Sequence, residues 1–92
     1  MQRPSSPNSG RKRERAFGRV LQEIRHERGL SQEELGFESG YHRTYISFLE
    51  RGKKSPSLST IMNLAETLRL PASEIIRRVE KALGLKFEAK LS

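Results

Sequence analysis

Between Tyr41 and Gly52 the chain places His42, Arg43, Thr44 and Ser47 around two apolar residues, Ile46 and Leu49, that lie three apart. On a helix this spacing turns Ile46 and Leu49 inward and leaves an imidazole, a guanidinium and two hydroxyls facing largely toward solvent. A face of donors with a cation suits the acceptor-rich edges of stacked bases better than bond-breaking chemistry. The rest of the chain supplies little for catalysis. It holds no Cys, all 11 acids are Glu, and His26 and His42 stand alone without a carboxylate pattern to complete a ligand set. With no GxSxG, no HExxH and no phosphate-cradling glycine loop, a nucleophile and its base cannot be assembled. No enzyme activity, metal or cofactor is expected.

Charge narrows the partner. Eighteen Lys and Arg against 11 acids give +7, a field that draws a polyanion. An anionic membrane would also attract it, but no apolar run approaches the roughly 18 residues of a spanning helix, and the N-terminus has no signal-peptide core. A cytoplasmic protein without a membrane partner is the expectation.

The elements that must position the Tyr41 to Gly52 face follow from spacing and caps. Ninety-two residues suit one domain, and the absence of Trp and of β-branched clusters favours an all-α fold. Residues 1–14 read as a flexible basic arm. Met1 to Gly10 is nearly devoid of apolar side chains, and Arg11, Lys12, Arg13 and Arg15 form either a solvated face or a DNA-tracking segment. Five helices are predicted over residues 15–84. Phe17, Val20, Leu21 and Ile24 make the stripe of a first helix beginning at Ala16. Ser31 and Glu34 form a capping box for a second helix starting at Gln32. Gly40 turns the chain into a third, from about His42 to Glu50. Ser57 caps a fourth with Leu58, Ile61, Leu64, Ala65 and Leu68 on one side. After Pro71 a fifth carries Ile75, Ile76, Val79 and Leu83 and ends at Gly84. Residues 85–92 read as a tail, and Arg69, Arg77, Arg78 and Lys81 as a solvated face.

Gln32-Glu33-Glu34-Leu35, Gly40, Tyr45-Ile46-Ser47 and Leu49-Glu50-Arg51-Gly52 resemble the helix-turn-helix of phage Cro and repressor proteins, over about Ala16 to Val79. The stretch His42 to Ser47 is most similar to restriction-modification controller proteins. The resemblance implies a repressor-like, sequence-specific regulator of transcription that binds a double-stranded DNA operator through the major groove. His42, Arg43, Thr44 and Ser47 would then be base contacts, with Arg43 suited to guanine O6 and N7. Gln32, Tyr45, Arg51, Lys53 and Lys54 would meet phosphates or the groove wall. Arg25 and Glu50 would form a structural ion pair. Two residues depart from the pattern. Phe48 stands where small or polar residues are usual and either packs on the loop or touches a thymine methyl. Gly36 replaces the usual Ala, at about 1 kcal/mol of helix propensity. Tyr41, after the turn glycine, is expected between the two helices.

One such helix reads about 4 to 6 base pairs, so a homodimer on paired half-sites is implied. Ile75, Ile76, Val79 and Leu83 are the candidate interface, with Leu85 and Phe87 extending it. No small-molecule ligand is expected. Two other readings remain open: an antitoxin-type protein-interaction module with the same fold, and a sequence-tolerant nucleic-acid binder acting through the basic arm.

Overall fold

The computed structural model describes residues 7–87, with side chains from residue 11 onward. Among the described residues there are five helices and no strand: α1 (Pro7–Glu27), α2 (Gln32–Ser39), α3 (Arg43–Glu50), α4 (Leu58–Leu68) and α5 (Ala72–Ala82). The long α1 is the spine. Its apolar stripe, Phe17, Val20, Leu21 and Ile24, is covered by α3 and α5, while α2 and α4 close the remaining sides. Leu35, Ile46, Leu49, Leu64, Leu68 and Ile75 complete the core with essentially no exposed surface.

Local signals set most of the boundaries. The Ser31 hydroxyl accepts from the Glu34 N–H at 3.0 Å, and the Glu34 carboxylate accepts from the Ser31 N–H at 2.8 Å. Both donors would otherwise be orphaned at the start of α2. The Ser57 hydroxyl caps α4 by accepting from the Thr60 N–H at 3.0 Å. Ser39 returns its hydroxyl to the Leu35 carbonyl at 2.7 Å, and Asn63 donates to the Ser39 carbonyl at 2.8 Å. The second of these bonds ties the end of α2 to α4.

The first helix differs from expectation. It begins at Pro7 rather than Ala16, and so runs through the arm expected to end at residue 14. The basic segment has no apolar stripe to announce a helix, but Arg, Lys and Glu are good helix formers, and proline is tolerated in a first turn. A tertiary bond holds it as well, since Arg11 Nη1 donates to the Gly52 carbonyl at 3.0 Å. The first part of the expected arm, residues 1–6, and the tail beyond residue 87 lie outside the described residues.

The fifth helix corrects the interface assignment. Ile75 is fully buried and Val79 is 8% exposed, both packed in the protein's own core. Their i, i+4 spacing points them at α1, whose stripe needs a cover. Of the four assigned residues, Ile76 is exposed and Leu83 half-buried.

Candidate nucleic-acid interface

The turn between α2 and α3 is closed by Gly40 at φ 82°. The Tyr41 N–H then donates to the Gly36 carbonyl at 2.8 Å, which brings the start of α3 against α2. Gly36 makes this approach feasible. A Cβ there would stand 2.6 Å from the Tyr41 carbonyl oxygen and 3.2 Å from the Arg43 nitrogen. The departure at Gly36 therefore admits a closer turn, at the same cost in helix propensity.

α3 starts at Arg43, one residue later than predicted, because His42 serves as its N-cap. Its Nδ1 accepts from the Thr44 N–H at 3.0 Å. Arg43 and Thr44 are exposed beside it, and Ser47 is half-buried one turn on. Ile46 and Leu49 lie on the opposite face without exposed surface. The four side chains assigned to base contact thus occupy one outward face, with the imidazole ring tied to the backbone at its edge.

Tyr45 is directed more toward the protein. Its ring lies 5.1 Å from that of Tyr41, and both hydroxyls sit 3.4 Å from Thr60 Oγ1. Ser57 adds its hydroxyl to the same Thr60 oxygen at 3.0 Å. This hydroxyl cluster fixes the first turn of α4 against α3, and no motif in the sequence announced Thr60. Tyr41, expected between α2 and α3, is half-buried against Tyr45 of α3 and Thr60 of α4.

Phe48 is half-buried under the loop that follows α3. The Arg51 guanidinium carbon lies 5.3 Å from its ring centroid and the Lys54 ammonium 6.0 Å, at cation–π distances. Phe48 thus packs against the loop residues Arg51 and Lys54. The aromatic face also holds two cations at the end of α3, beside the exposed Lys53.

Behind the outward face is a buried charge pair. Arg25 Nε donates to Glu50 Oε2 at 2.6 Å and Nη2 to Oε1 at 3.0 Å, with the two side chains 7% and 2% exposed. Nη1 donates to the Leu30 carbonyl at 2.8 Å. Gln32 joins this network, giving one amide hydrogen to Glu50 Oε1 at 2.9 Å. Gln32, expected to meet a phosphate, is held in place by this bond through one of its two amide hydrogens. A buried pair so fully bonded fixes the angle between α1 and α3, because loss of either partner would strand a charge.

On the far side, Glu74 accepts from Arg77 at 2.8 and 2.9 Å and from Arg78 at 3.0 Å, and Arg78 reaches Glu27 on α1 at 3.2 Å. Hydrogen bonds from Arg77, then Arg78, hold the Glu74 carboxyl down to about 2 from an ordinary 4.5. Both arginines are correspondingly pushed up by Glu74. The expected solvated face is therefore in part an ion-pair cluster that clips α5 to α1. No helix among the described residues is long and apolar enough to cross a membrane.

Known proteins share this arrangement. Residues 21–75 match the helix-turn-helix family. The control protein C.BamHI of Bacillus amyloliquefaciens is 38% identical over 61 residues, covering 65% of this chain and 75% of that protein. The crystal structure of the restriction-modification controller protein C.AhdI from Aeromonas hydrophila superposes with a TM-score of 0.66 at 42% identity, covering 67% of this chain and 94% of that one. The controller protein C.Esp1396I, solved as a tetramer in complex with its natural 35 base-pair operator, superposes at 0.71 with 25% identity, covering 77% and 93%. With a capped positioning helix, a glycine corner and an outward polar face on α3, the chain belongs to the helix-turn-helix family of DNA-binding transcriptional regulators, of the phage Cro and repressor type.

Proposed function

We propose that the protein acts as a homodimer that reads a two-fold operator, each subunit placing α3 in the major groove and regulating transcription by occupancy rather than by catalysis. The observation that carries this reading is the shared outward face of Arg43, Thr44 and Ser47, backed by fully buried Ile46 and Leu49. Arg43 pairs with a guanine edge and supplies about 1 to 3 kcal/mol of discrimination, with His42, Thr44 and Ser47 as further base contacts. Gln32, Tyr45, Arg51, Lys53 and Lys54 meet the backbone and set affinity more than sequence. The dimer forms through the exposed Ile76 of α5 and the half-buried Leu83 that follows the helix, extended by Leu85 and Phe87. The operator complex of C.Esp1396I supports this mode of action by likeness of fold. The protein works in the cytoplasm, with no small-molecule effector.

Selection of bound duplex from a random pool, for wild type and Arg43→Ala side by side, tests the proposal. The expected result is a palindromic site in which one G·C preference relaxes in the variant. Absence of any preferred duplex sequence with the wild type would overturn it.

A further inference from the structure

Past the end of α3 the chain forms a second cationic feature. Gly52 is buried against α1, at φ 72°, and a Cβ on it would stand 2.6 Å from Arg15 Cγ, 3.0 Å from its Cα and 3.1 Å from its backbone nitrogen. Only a glycine lets the loop lie so flat on the N-terminal half of α1. The Arg11 bond to the Gly52 carbonyl then locks the two segments together. Arg11, Arg15, Arg51 and Lys53 converge around this contact and line an open cleft of about 250 Å³ with no carboxylate among the described residues of its wall. Among the described residues, none of the four enters a salt bridge.

Four cations gathered without a counter-charge repel one another, and an anion seated among them relieves that repulsion. We propose that this cleft binds a phosphodiester of the operator backbone just beyond the base pairs read by α3. Arg51 is the C-cap of α3, so the cleft begins where the base-reading face ends. The basic segment before Ala16 is thereby a fixed clamp on flanking DNA, built on the helix, and not a wandering arm. The inference rests on the DNA-binding reading above and adds a site to it.

The test uses the full chain and the duplex the wild type selects. Salt dependence of affinity and phosphate-ethylation interference are compared for wild type, Arg11→Gln with Arg15→Gln, Lys53→Gln, and Arg43→Ala. With one cleft phosphate per subunit of a dimer, the double variant keeps the selected sequence and loses interference at the flanking phosphates. Its log–log salt slope becomes shallower by about 2, so the wild-type advantage shrinks about ten-fold between roughly 50 and 200 mM salt. Lys53 is exposed, so Lys53→Gln shifts slope and interference the same way at unchanged thermal stability, which separates the cleft from a folding defect. Arg43→Ala relaxes sequence preference and leaves the flanking interference in place. An unchanged slope and unchanged flanking interference in both cleft variants, with the wild type still selecting its site, would sink the proposal. If the wild type selects no site, the major-groove reading fails by itself. The cleft then stands if the double variant weakens binding to arbitrary duplex, and falls if it does not.

Discussion

Gly18 on α1 lies directly against the carbonyl of Glu50 at the end of α3, so close that a Cβ on Gly18 would collide with the carbonyl oxygens of both Leu49 and Glu50. The recognition helix is therefore seated on the spine by backbone contact as well as by side chains. Gly18→Ala would raise the intrinsic helix propensity of α1 by about 1 kcal/mol. The collision is with backbone, which cannot rotate away, and overpacking of this kind costs about 1 to 3 kcal/mol. The clash outweighs the propensity, so the variant is expected to melt several degrees below wild type in a thermal scan followed by circular dichroism. A variant as stable as wild type would mean that α1 and α3 separate easily.

The Arg25–Glu50 pair gives a second test. Glu50→Ala leaves a guanidinium buried beside Ile24 with only the Leu30 carbonyl as partner, and is expected to cost about 3 to 5 kcal/mol in denaturant unfolding. Arg25→Met combined with Glu50→Leu removes both charges and fills the space with apolar atoms. It should recover most of that loss. If the double replacement is as damaging as the single one, the pair contributes through something other than paired charge.

The parts of this architecture that could be read in the sequence are those fixed by near neighbours. Ser31 and Glu34 make a reciprocal cap from four consecutive residues, and Gly40 marks a corner because few other residues take up its dihedrals. Ile46 and Leu49 point inward by periodicity alone, which leaves Arg43 and Thr44 outside. What escaped the sequence depends on contacts between distant segments. The extension of α1 back to Pro7 carries no apolar pattern and is held by Arg11 on Gly52, 41 residues away. Ile75 and Ile76 are adjacent and equally apolar, and only the packing of α5 on α1 decides which is core. Gln32 is drawn toward Glu50 by the ion pair behind it, which no local motif announces.

Glu74 makes folding stability depend on pH. Its carboxyl is held at about 2 in the folded protein against an ordinary 4.5, chiefly by hydrogen bonds from Arg77 and Arg78. A lowered folded value means that the unfolded chain binds the proton more tightly. The contribution is therefore complete above pH 4.5 and is lost as pH falls toward 2. The three side chains are at the surface, so water screening keeps the effect small. Glu74→Gln is expected to melt slightly below wild type at pH 7 and to match it near pH 2. A gap that widened on acidification would contradict this assignment.

The charge of +7 predicts the ionic-strength response of binding. A dimer neutralising roughly 7 to 10 phosphates should show a log–log slope of affinity against salt between about −6 and −9. Fluorescence anisotropy with the selected duplex over a salt series measures it. A slope near −1 would leave Lys53, Lys54 and Arg51 without a role in binding.

Ile75 and Ile76 separate folding from assembly. Ile75 is fully buried, so Ile75→Glu places a carboxylate among the core side chains and should unfold the domain. Ile76 is 38% exposed at the edge of an apolar groove lined by Phe17, Ile61, Leu83 and Leu85. Ile76→Glu should leave the circular dichroism spectrum and melting temperature near wild type while converting the proposed dimer to a monomer in analytical ultracentrifugation. Because one recognition helix contacts too few base pairs to bind tightly alone, that monomer should lose most of its affinity for a two-half-site operator. Its loss on a single half-site should be small, since the surface of α3 is untouched. A monomeric variant that bound both duplexes as well as wild type would show that the two recognition helices act independently. A variant that stayed dimeric would move the interface away from this edge of α5.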